Sequence, residues 1–277
     1  MPAILATRTI ENKRDRIATI LIAPFMTCSA RLPIYILIIA AFFPERPLLG
    51  RVLGVQAAAM IGLYVLGFAA AFVTARLLKS SVLRSDPAPF VLEMPPYRWP
   101  TLRSLGLRLL DRSKVFLRRA GTVILATTIV LWALASTPRK DGKPPAIEDS
   151  FAGVIGHTIE PVIEPLGFNW KIGIGLIASL AAREVIVGTL GTIYGIEAEA
   201  ESEELHQSKS LQAALRKDLS LAGAVALLIF FAFAMQCMST VAVVRRETGS
   251  WKWPAVQFTY MTAVAYVSAL GAYRVLA

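Results

Sequence analysis

The chain of 277 residues is 55% hydrophobic, with a mean hydropathy of +0.57 and a formal net charge of +10 at pH 7. Soluble domains are usually about 45–50% apolar, so this composition favours an integral membrane protein. Basic residues are not interleaved with aromatic ones as in nucleic-acid grooves, and we expect no nucleic-acid partner. The sequence has no glycine-rich phosphate loop and no nucleophile–base pair, so we expect no nucleotide site in this chain and no enzymatic activity.

The first apolar region is interrupted in its middle. Uncharged stretches run from Ile17 to Ala30 and from Leu32 to Pro44, and Arg31 separates them. A simple transmembrane helix needs about 20 apolar residues in a row. Because Pro24 and a Thr-Cys-Ser patch also lie here, the pattern predicts a discontinuous helix whose freed backbone groups line a cavity.

A second span and a basic segment follow. The uncharged stretch 54–75 is rich in Ala and Gly, which is typical of helices that pack closely in lipid. Segment 76–119 is the most basic part of the chain, and the positive-inside tendency places it in the cytoplasm. Its prolines exclude a helix at 87–100, whereas 101–119 has the pattern of an amphipathic helix on the membrane surface. Residues 120–135 continue as a span.

A second interruption lies further along. The uncharged stretches 172–182 and 185–196 flank Arg183 and Glu184, and each is too short to cross a bilayer alone. We interpret 172–196 as a re-entrant helical hairpin, with one kinked crossing as the alternative. Arg183 and Glu184 are either a salt bridge or interfacial pair that holds the hairpin tip, or they form a gate or place the Glu184 carboxylate on the ion route.

The charges of the connecting segments predict which side each one occupies. Segments 137–170 and 197–218 are acidic and suit the outer side, whereas 245–253 is basic, carries two tryptophans and suits the cytoplasm, like 76–119. A re-entrant 172–196 satisfies all four assignments. His157 and His206 then fall in outer loops, where we expect them to be solvated.

The last two spans are 221–244 and 254–273. The first contains Met235-Gln236-Cys237-Met238-Ser239-Thr240, which matches Met26-Thr27-Cys28-Ser29 in having Met-x-Cys close to hydroxyl residues. With the predicted topology, the two broken spans run in opposite directions. This predicts an inverted-topology repeat with a binding site where the two breaks meet near the membrane midplane.

The polar atoms of the two breaks are the candidate site. Soft sulfur donors favour transition metals over Mg2+ or Ca2+, and a transport site needs few, neutral donors so that it can release its ion. The alternatives are buried structural thiols, packing methionines and hydroxyls that bond a helix carbonyl. Arg31 would repel a cation, so we expect it to pair with an acid or a helix end. The candidate metal-binding or pore-lining residues are Cys237, Cys28, Met235, Met26, Ser239, Thr240 and Ser29.

Five separated motifs, in the same order, resemble the membrane half of the FeoB-type ferrous iron transport proteins. The resemblance covers essentially the whole chain. The motifs are Pro24–Tyr35, Glu93–Pro100, Phe116–Thr122, Ala181–Leu190 and Arg246–Trp253.

The resemblance implies that the chain is the permease part of a GTP-binding transporter that moves Fe2+ as its substrate across the bacterial inner membrane, as a multi-pass protein. Family members also carry an amino-terminal G domain, a helical spacer and first membrane segments, which have no match here. The chain is therefore expected to be a fragment, a product of a misplaced start codon or one product of a split gene. The implied partners are the lipid bilayer, the missing amino-terminal half, small cytoplasmic accessory proteins and further copies of the same chain.

The predicted fold class is all-α, a polytopic membrane protein with inverted repeats of a re-entrant hairpin plus an unwound transmembrane helix. The predicted regions are a first gate region with its following span (1–75), a basic cytoplasmic loop (76–119), a core span with an outer loop (120–170), and a second gate region with the final span (171–277). Two alternatives stay open, a transporter of another solute such as a nucleoside, and a truncated chain without transport activity.

Overall fold

The computed structural model describes residues 4, 6–49, 53–80, 101–137, 150–181, 183, 185–194, 204–235 and 237–277. These residues are almost entirely helical, which confirms the predicted all-α class. The helices, in chain order, are α1 (Lys13–Ile22), α2 (Leu32–Phe42), α3 (Val55–Ser80), α4 (Leu102–Ser136), α5 (Phe151–Ile163), α6 (Trp170–Ala181), α7 (Val185–Ile193), α8 (Glu204–Asp218), α9 (Leu221–Phe233), α10 (Met238–Thr248) and α11 (Lys252–Leu276).

Both predicted interruptions of the Met-x-Cys spans are present. α1 ends at Ile22, a 3-10 turn follows at Ala23–Phe25, and the chain is not helical again until the 3-10 turn Ser29–Arg31 that precedes α2. α9 likewise ends at Phe233, and α10 begins at Met238. The stretches between them are called the first break (residues 23–31) and the second break (residues 234–237).

The main hydrophobic core lies where α9 packs along α11 and against α2 and α3. α9 is apolar all round and is buried along almost its whole length, as expected of a central helix. α3 is different, because it buries Leu63, Gly67 and Ala71 on one face and exposes large apolar side chains such as Phe68 and Phe72 on the other. An exposed apolar face of this kind marks contact with lipid or with another protein.

Helices α6 and α7 fold back on each other. A Cβ added at Gly175 of α6 would lie 3.2 Å from Ile186 and 3.4 Å from Leu190, both on α7. If the two helices ran on in one line, residues this far apart in sequence would be roughly 20 Å apart at 1.5 Å per residue. The hairpin geometry therefore follows from the packing, with Arg183 at its tip.

Charged contacts gather at two separate places. At one, Glu247 pairs with Arg8 and Arg16. At the other, Asp218 of α8 accepts hydrogen bonds from Lys171 and Tyr194, and it lines a cavity together with Glu164.

Several predicted loops are wrong. Much of 197–218 is the helix α8, which buries Leu211 and Leu215 in the core against α2. Segment 137–170 contains α5, and so His157 and His206 both lie in helices rather than in loops. Apolar residues four apart on one helix face are enough to anchor a helix whose average composition is polar.

Three smaller outcomes complete the fold. Between α2 and α3 the chain forms two paired antiparallel strands, β1 (Pro47–Leu49) with β2 (Leu53–Gly54). The predicted surface helix 101–119 and span 120–135 form one unbroken helix, α4. The proline-rich stretch 87–100 and the side chain of Glu184 lie outside the described residues.

Two described stretches are both long and apolar enough to cross a membrane. They are Lys13–Phe42, which comprises α1, the first break and α2, and Val55–Ser80, which is α3. Trp170–Leu180 and Leu221–Phe233 are apolar but shorter. The number of crossings and the re-entrant placement of 172–196 stay predictions.

Candidate functional site

The first break follows from the chemistry of Pro24. Proline has no backbone N–H, so it cannot donate to the carbonyl of Ile20 one turn earlier. The Ile20 carbonyl instead accepts a hydrogen bond of 3.0 Å from Gln257 Nε2, and the Leu21 carbonyl accepts one from the same nitrogen and another from Tyr260. Helix α11 thus replaces the helical partners that α1 lacks.

Arg31 donates hydrogen bonds to the next two backbone carbonyls along the first break, which lie closer to Cys28. Its Nη2 donates to the Pro24 carbonyl at 2.8 Å and its Nη1 to the Phe25 carbonyl at 3.2 Å. The Arg31 side chain is buried, and the structure confirms the expectation that it pairs with a helix end. A cation is favourable at this position because the carbonyl end of a helix carries partial negative charge.

At the second break, an arginine also donates hydrogen bonds to backbone carbonyls, but this arginine is distant in sequence. Arg183, at the tip of the α6–α7 hairpin, donates from Nη1 to the Phe231 carbonyl at 3.2 Å and from Nη2 to the Ala234 carbonyl. These carbonyls lie at the end of α9, directly before Met235. Of the two predicted gate residues, the structure thus places Arg183 against the break.

The two breaks meet in space. The rings of Phe25 and Phe233 pack edge to face with centroids 6.1 Å apart, and each ring lies just ahead of its Met-x-Cys motif. Arg183 lies within electrostatic range of Arg31, of Tyr35 and of both cysteine thiols. Cys28 and Cys237 therefore lie on breaks that pack together through Phe25 and Phe233.

The sulfur atoms differ in their surroundings. Cys28 is exposed and Cys237 is half-buried, and each directly precedes a helical turn. Met26 is exposed, whereas Met235 is 1% exposed and belongs to the main hydrophobic core. This burial favours a packing role for Met235, which was one of the alternatives for the methionines.

The hydroxyl candidates lie at the starts of the returning helices. Ser29 opens the 3-10 turn after Cys28, and Ser239 and Thr240 lie in the first turn of α10. The backbone N–H of Thr240 donates to the Cys237 carbonyl at 2.9 Å, so that this carbonyl begins the new helix. Whether the three hydroxyls contact an ion stays a prediction.

Reasoning from the sequence missed three residues of this site, Gln257, Tyr260 and Tyr35. Gln257 and Tyr260 satisfy carbonyls of the first break from α11, more than 200 positions away along the chain. Tyr35 Oη and Arg31 Nε are buried without a hydrogen-bond partner among the described residues. A glutamine inside an otherwise apolar span is the one local signal that was available for Gln257.

Carboxylates contribute little to the breaks. No group of three or more His, Cys, Asp or Glu side chains that suits a metal ion is found in the part of the chain that the structure describes. Glu160, Glu164 and Asp218 line a separate cavity of about 560 Å³ near the ends of α5, α8 and α11. The donors at the breaks are therefore thiols, thioethers, hydroxyls and carbonyls.

Two family models match the sequence. The model described as "Ferrous iron transport protein B C terminus" matches residues 60–112, and the model described as "Nucleoside recognition", named Gate, matches residues 117–251. The Gate match covers both Arg183 and the second break. No solved structure matches the chain.

Curated relatives match over nearly the whole chain. The Fe(2+) transporter FeoB of Leptospira interrogans is 45% identical over 99% of this chain and 41% of its own length. That of Leptospira biflexa is 44% identical over 96% of this chain and 39% of its own length. A fusion of Fe(2+) transport protein A with FeoB from Porphyromonas gingivalis is 34% identical over 99% of this chain and 36% of its own length.

The chain spans about two fifths of the length of these relatives. The chain is a membrane protein and belongs to the family of FeoB-type ferrous iron transport proteins, of which it corresponds to the carboxy-terminal portion.

Proposed function

We propose that this chain forms the permease portion of a ferrous iron transporter in the bacterial inner membrane, and that Fe2+ passes between the two breaks. One observation carries the proposal. Two helices break at Met-x-Cys motifs, the breaks pack together through Phe25 and Phe233, and the buried Arg183 donates hydrogen bonds to carbonyls before the second break. The relatives' names supply the substrate.

The donors suit a transition-metal ion that must be released again. Cys28 and Cys237 offer soft sulfur, which selects Fe2+ over Mg2+ and Ca2+. Met26, Ser29, Ser239 and Thr240 are the further donors that we propose along the path. Few and mostly neutral donors keep the binding weak enough for transport.

The proposed topology has one basic and one acidic side. The Glu247 cluster with Arg8 and Arg16 would lie at the cytoplasmic face, and the Asp218 cavity at the outer face. Two observations support this arrangement. Segments before and after the α6–α7 hairpin line the same cavity, as a re-entrant hairpin requires, and the two charged clusters share no residue.

We propose two partners. A GTP-binding portion would couple nucleotide hydrolysis to opening, since the longer relatives have room for such a domain outside the matched region. A small accessory protein is the second, because the relative from Porphyromonas gingivalis is named as a fusion with Fe(2+) transport protein A. Self-association through the exposed apolar face of α3 is compatible with both.

The proposal is tested by Fe2+ uptake into vesicles that contain the chain, alone or together with the amino-terminal portion of a relative. We expect Cys237→Ser to slow the initial rate at least about tenfold, since even outer-shell partners of a bound metal have effects of this size. Met60→Leu is the control, because it removes a sulfur from α3 instead of from a break.

Two outcomes would contradict the proposal. One is an unchanged rate in Cys237→Ser and in the Cys28→Ser variant. The other is a folded, inserted wild-type chain that moves no Fe2+ in any combination. Because one family model is described as "Nucleoside recognition", the same vesicles are tested with a radiolabelled nucleoside, and uptake of that probe would favour the alternative substrate.

A further inference from the structure

At each break, an arginine side chain donates a hydrogen bond to the carbonyl that directly precedes the methionine of the Met-x-Cys motif. Arg31 donates to the carbonyl of Phe25, which directly precedes Met26, and Arg183 donates to the carbonyl of Ala234, which directly precedes Met235. Elsewhere around the first break the donors are the neutral side chains of Gln257 and Tyr260. Among the described residues, the only charged side chains that donate to the carbonyls at the two breaks are therefore Arg31 and Arg183.

The two guanidinium groups are buried as cations. Arg31 is 1% exposed and Arg183 is 4% exposed, and in the described part of the chain neither forms an ion pair with a carboxylate. Two like charges within electrostatic range of each other repel, and burial strengthens the repulsion. The carbonyl dipoles at the ends of the broken helices are the groups that offset it.

Carbonyl oxygens at a broken helix end are also the groups that bind hard cations in transporters. Mg2+, Ca2+ and Mn2+ prefer such oxygen ligands, whereas sulfur donors prefer softer transition metals. In this structure the oxygens are filled by guanidinium nitrogens. Tyr35 Oη, a further oxygen close in sequence to Arg31, is buried without a hydrogen-bond partner among the described residues.

We propose that Arg31 and Arg183 determine the cation selectivity of the path, because their guanidinium groups occupy the carbonyl oxygens of the breaks. An ion at either break then finds free thiols, whereas these carbonyl oxygens are already occupied. The inference rests on the proposed function. It assigns to each break a second, oxygen-lined cation site that is filled by the protein's own side chain.

The test uses Mn2+ as an oxygen-preferring probe with the purified full chain in detergent, where bound Mn2+ is measured as the loss of the free-ion paramagnetic resonance signal. We expect Arg183→Ala to raise the affinity for Mn2+ at least about tenfold, the size expected when a charged hydrogen-bond partner releases its acceptors. Adding free guanidinium at low millimolar concentration should refill the space and reverse the gain.

Arg216→Ala is the matched control. Arg216 also donates to a helix-end carbonyl, that of Ala41 at the end of α2, but away from both cysteines. We expect this variant to bind Mn2+ like the wild type. A role of Arg183 in stability alone predicts a lower unfolding temperature with no gain in Mn2+ binding and no effect of guanidinium, and this result would overturn the proposal.

A second variant covers the case in which Arg183→Ala does not fold. Arg183→Lys keeps the charge but lacks the planar fork with which Arg183 donates to two carbonyls, so we expect a smaller gain in Mn2+ affinity. A folded lysine variant without any gain contradicts the inference. Because Mn2+ binding is measured without transport, wild-type vesicles that fail to take up Fe2+ would count against the proposed function and leave the Mn2+ result to stand.

Discussion

Glu247 shows how a single side chain joins distant segments of the chain. Its carboxylate is 1% exposed and accepts hydrogen bonds from Arg8, near the amino terminus, and from Arg16 at 2.8 Å, on α1. The hydrogen bond from Arg8 is the main cause that holds the pKa of Glu247 below its ordinary value of 4.5, and the charge of Arg16 adds to it. Glu247 thereby ties the start of the chain to the end of α10.

The lowered pKa of Glu247 predicts a pH-dependent stability. A carboxylate with a depressed folded-state pKa stabilises the fold above its unfolded pKa, and this contribution is lost as the pH falls through the folded value. We expect the difference in unfolding temperature between the wild type and Glu247→Gln to be largest at neutral pH and to shrink below about pH 4.5. Thermal unfolding of the purified chain in detergent measures it. The exposed Glu45→Gln variant is the control, and a difference that does not change with pH would be inconsistent with this role.

At the residue scale, the sequence predicted where the breaks lie but not what holds them. Pro24 and the Met-x-Cys patches are local signals, because they change backbone donors or polarity at their own positions. The partners of the freed carbonyls are Gln257 and Arg183, and only the packing of whole helices brings them there. The burial of Met235 in the core was equally invisible, since its sequence neighbours are those of Cys237.

At the element scale, α3 is fitted closely to the first break. A Cβ added at Gly67 would lie 2.9 Å from the Phe25 carbonyl oxygen and 3.6 Å from Thr27 Oγ1. A real Cβ does not approach a backbone oxygen so closely, so either α3 or the break would have to move. The absence of a side chain at Gly67 thus sets the distance between this helix and the segment that leads to Cys28.

We expect Gly67→Ala to destabilise the chain by about 1–3 kcal/mol, as overpacking of a tight interface does. It should also slow Fe2+ uptake, because the displaced carbonyl belongs to the break. The control is Gly62→Ala on the same helix, where an added Cβ has no atom within 4 Å. An alanine there should be neutral or stabilise by up to about 1 kcal/mol through its helix preference. Equal effects of the two variants on unfolding would contradict the close fit.

Helices with strong patterns were predicted well, and weakly apolar ones were not. The apolar runs that became α3 and α9 identify themselves by composition. The segment of α8 predicts a loop because it is polar on average, although Leu211, Leu215 and Leu219 recur every fourth position and are buried. The packing of α7 against α6 is seen in contacts such as Gly175 with Leu190, which sequence spacing does not report. Whether 172–196 is re-entrant stays a prediction.

At the scale of the whole molecule, two separate groups of charged residues can be distinguished in the described part of the chain. Glu164 lies before the α6–α7 hairpin and Asp218 after it, yet both line one cavity. Lys79, at the end of α3, pairs with Asp15 of α1. The next residue of α1, Arg16, pairs with Glu247, so the Lys79–Asp15 pair belongs with the Glu247 cluster. A chain that crosses the membrane in the proposed order places these two groups on opposite faces.

Sidedness can be tested with single cysteines in a chain whose Cys28 and Cys237 are replaced by serine. We expect a membrane-impermeant maleimide to label Glu164→Cys and Lys217→Cys from the outside of intact cells. Lys252→Cys should react only in inverted vesicles. Labelling of positions 164 and 217 from opposite sides would show that 172–196 crosses fully, and the proposed topology would then be wrong.

The unbroken length of α4 has a mechanical consequence. Its 35 residues extend about 52 Å at 1.5 Å per residue, whereas a bilayer core is about 30 Å thick. The helix has no proline between Leu102 and Ser136, and it contacts α5, α6 and α7. Because the helix has no hinge, a small sideways displacement of its basic end would tilt the whole helix, including the part that contacts the α6–α7 hairpin. A force on the basic end would in this way reach the helices of the α6–α7 hairpin that α4 contacts.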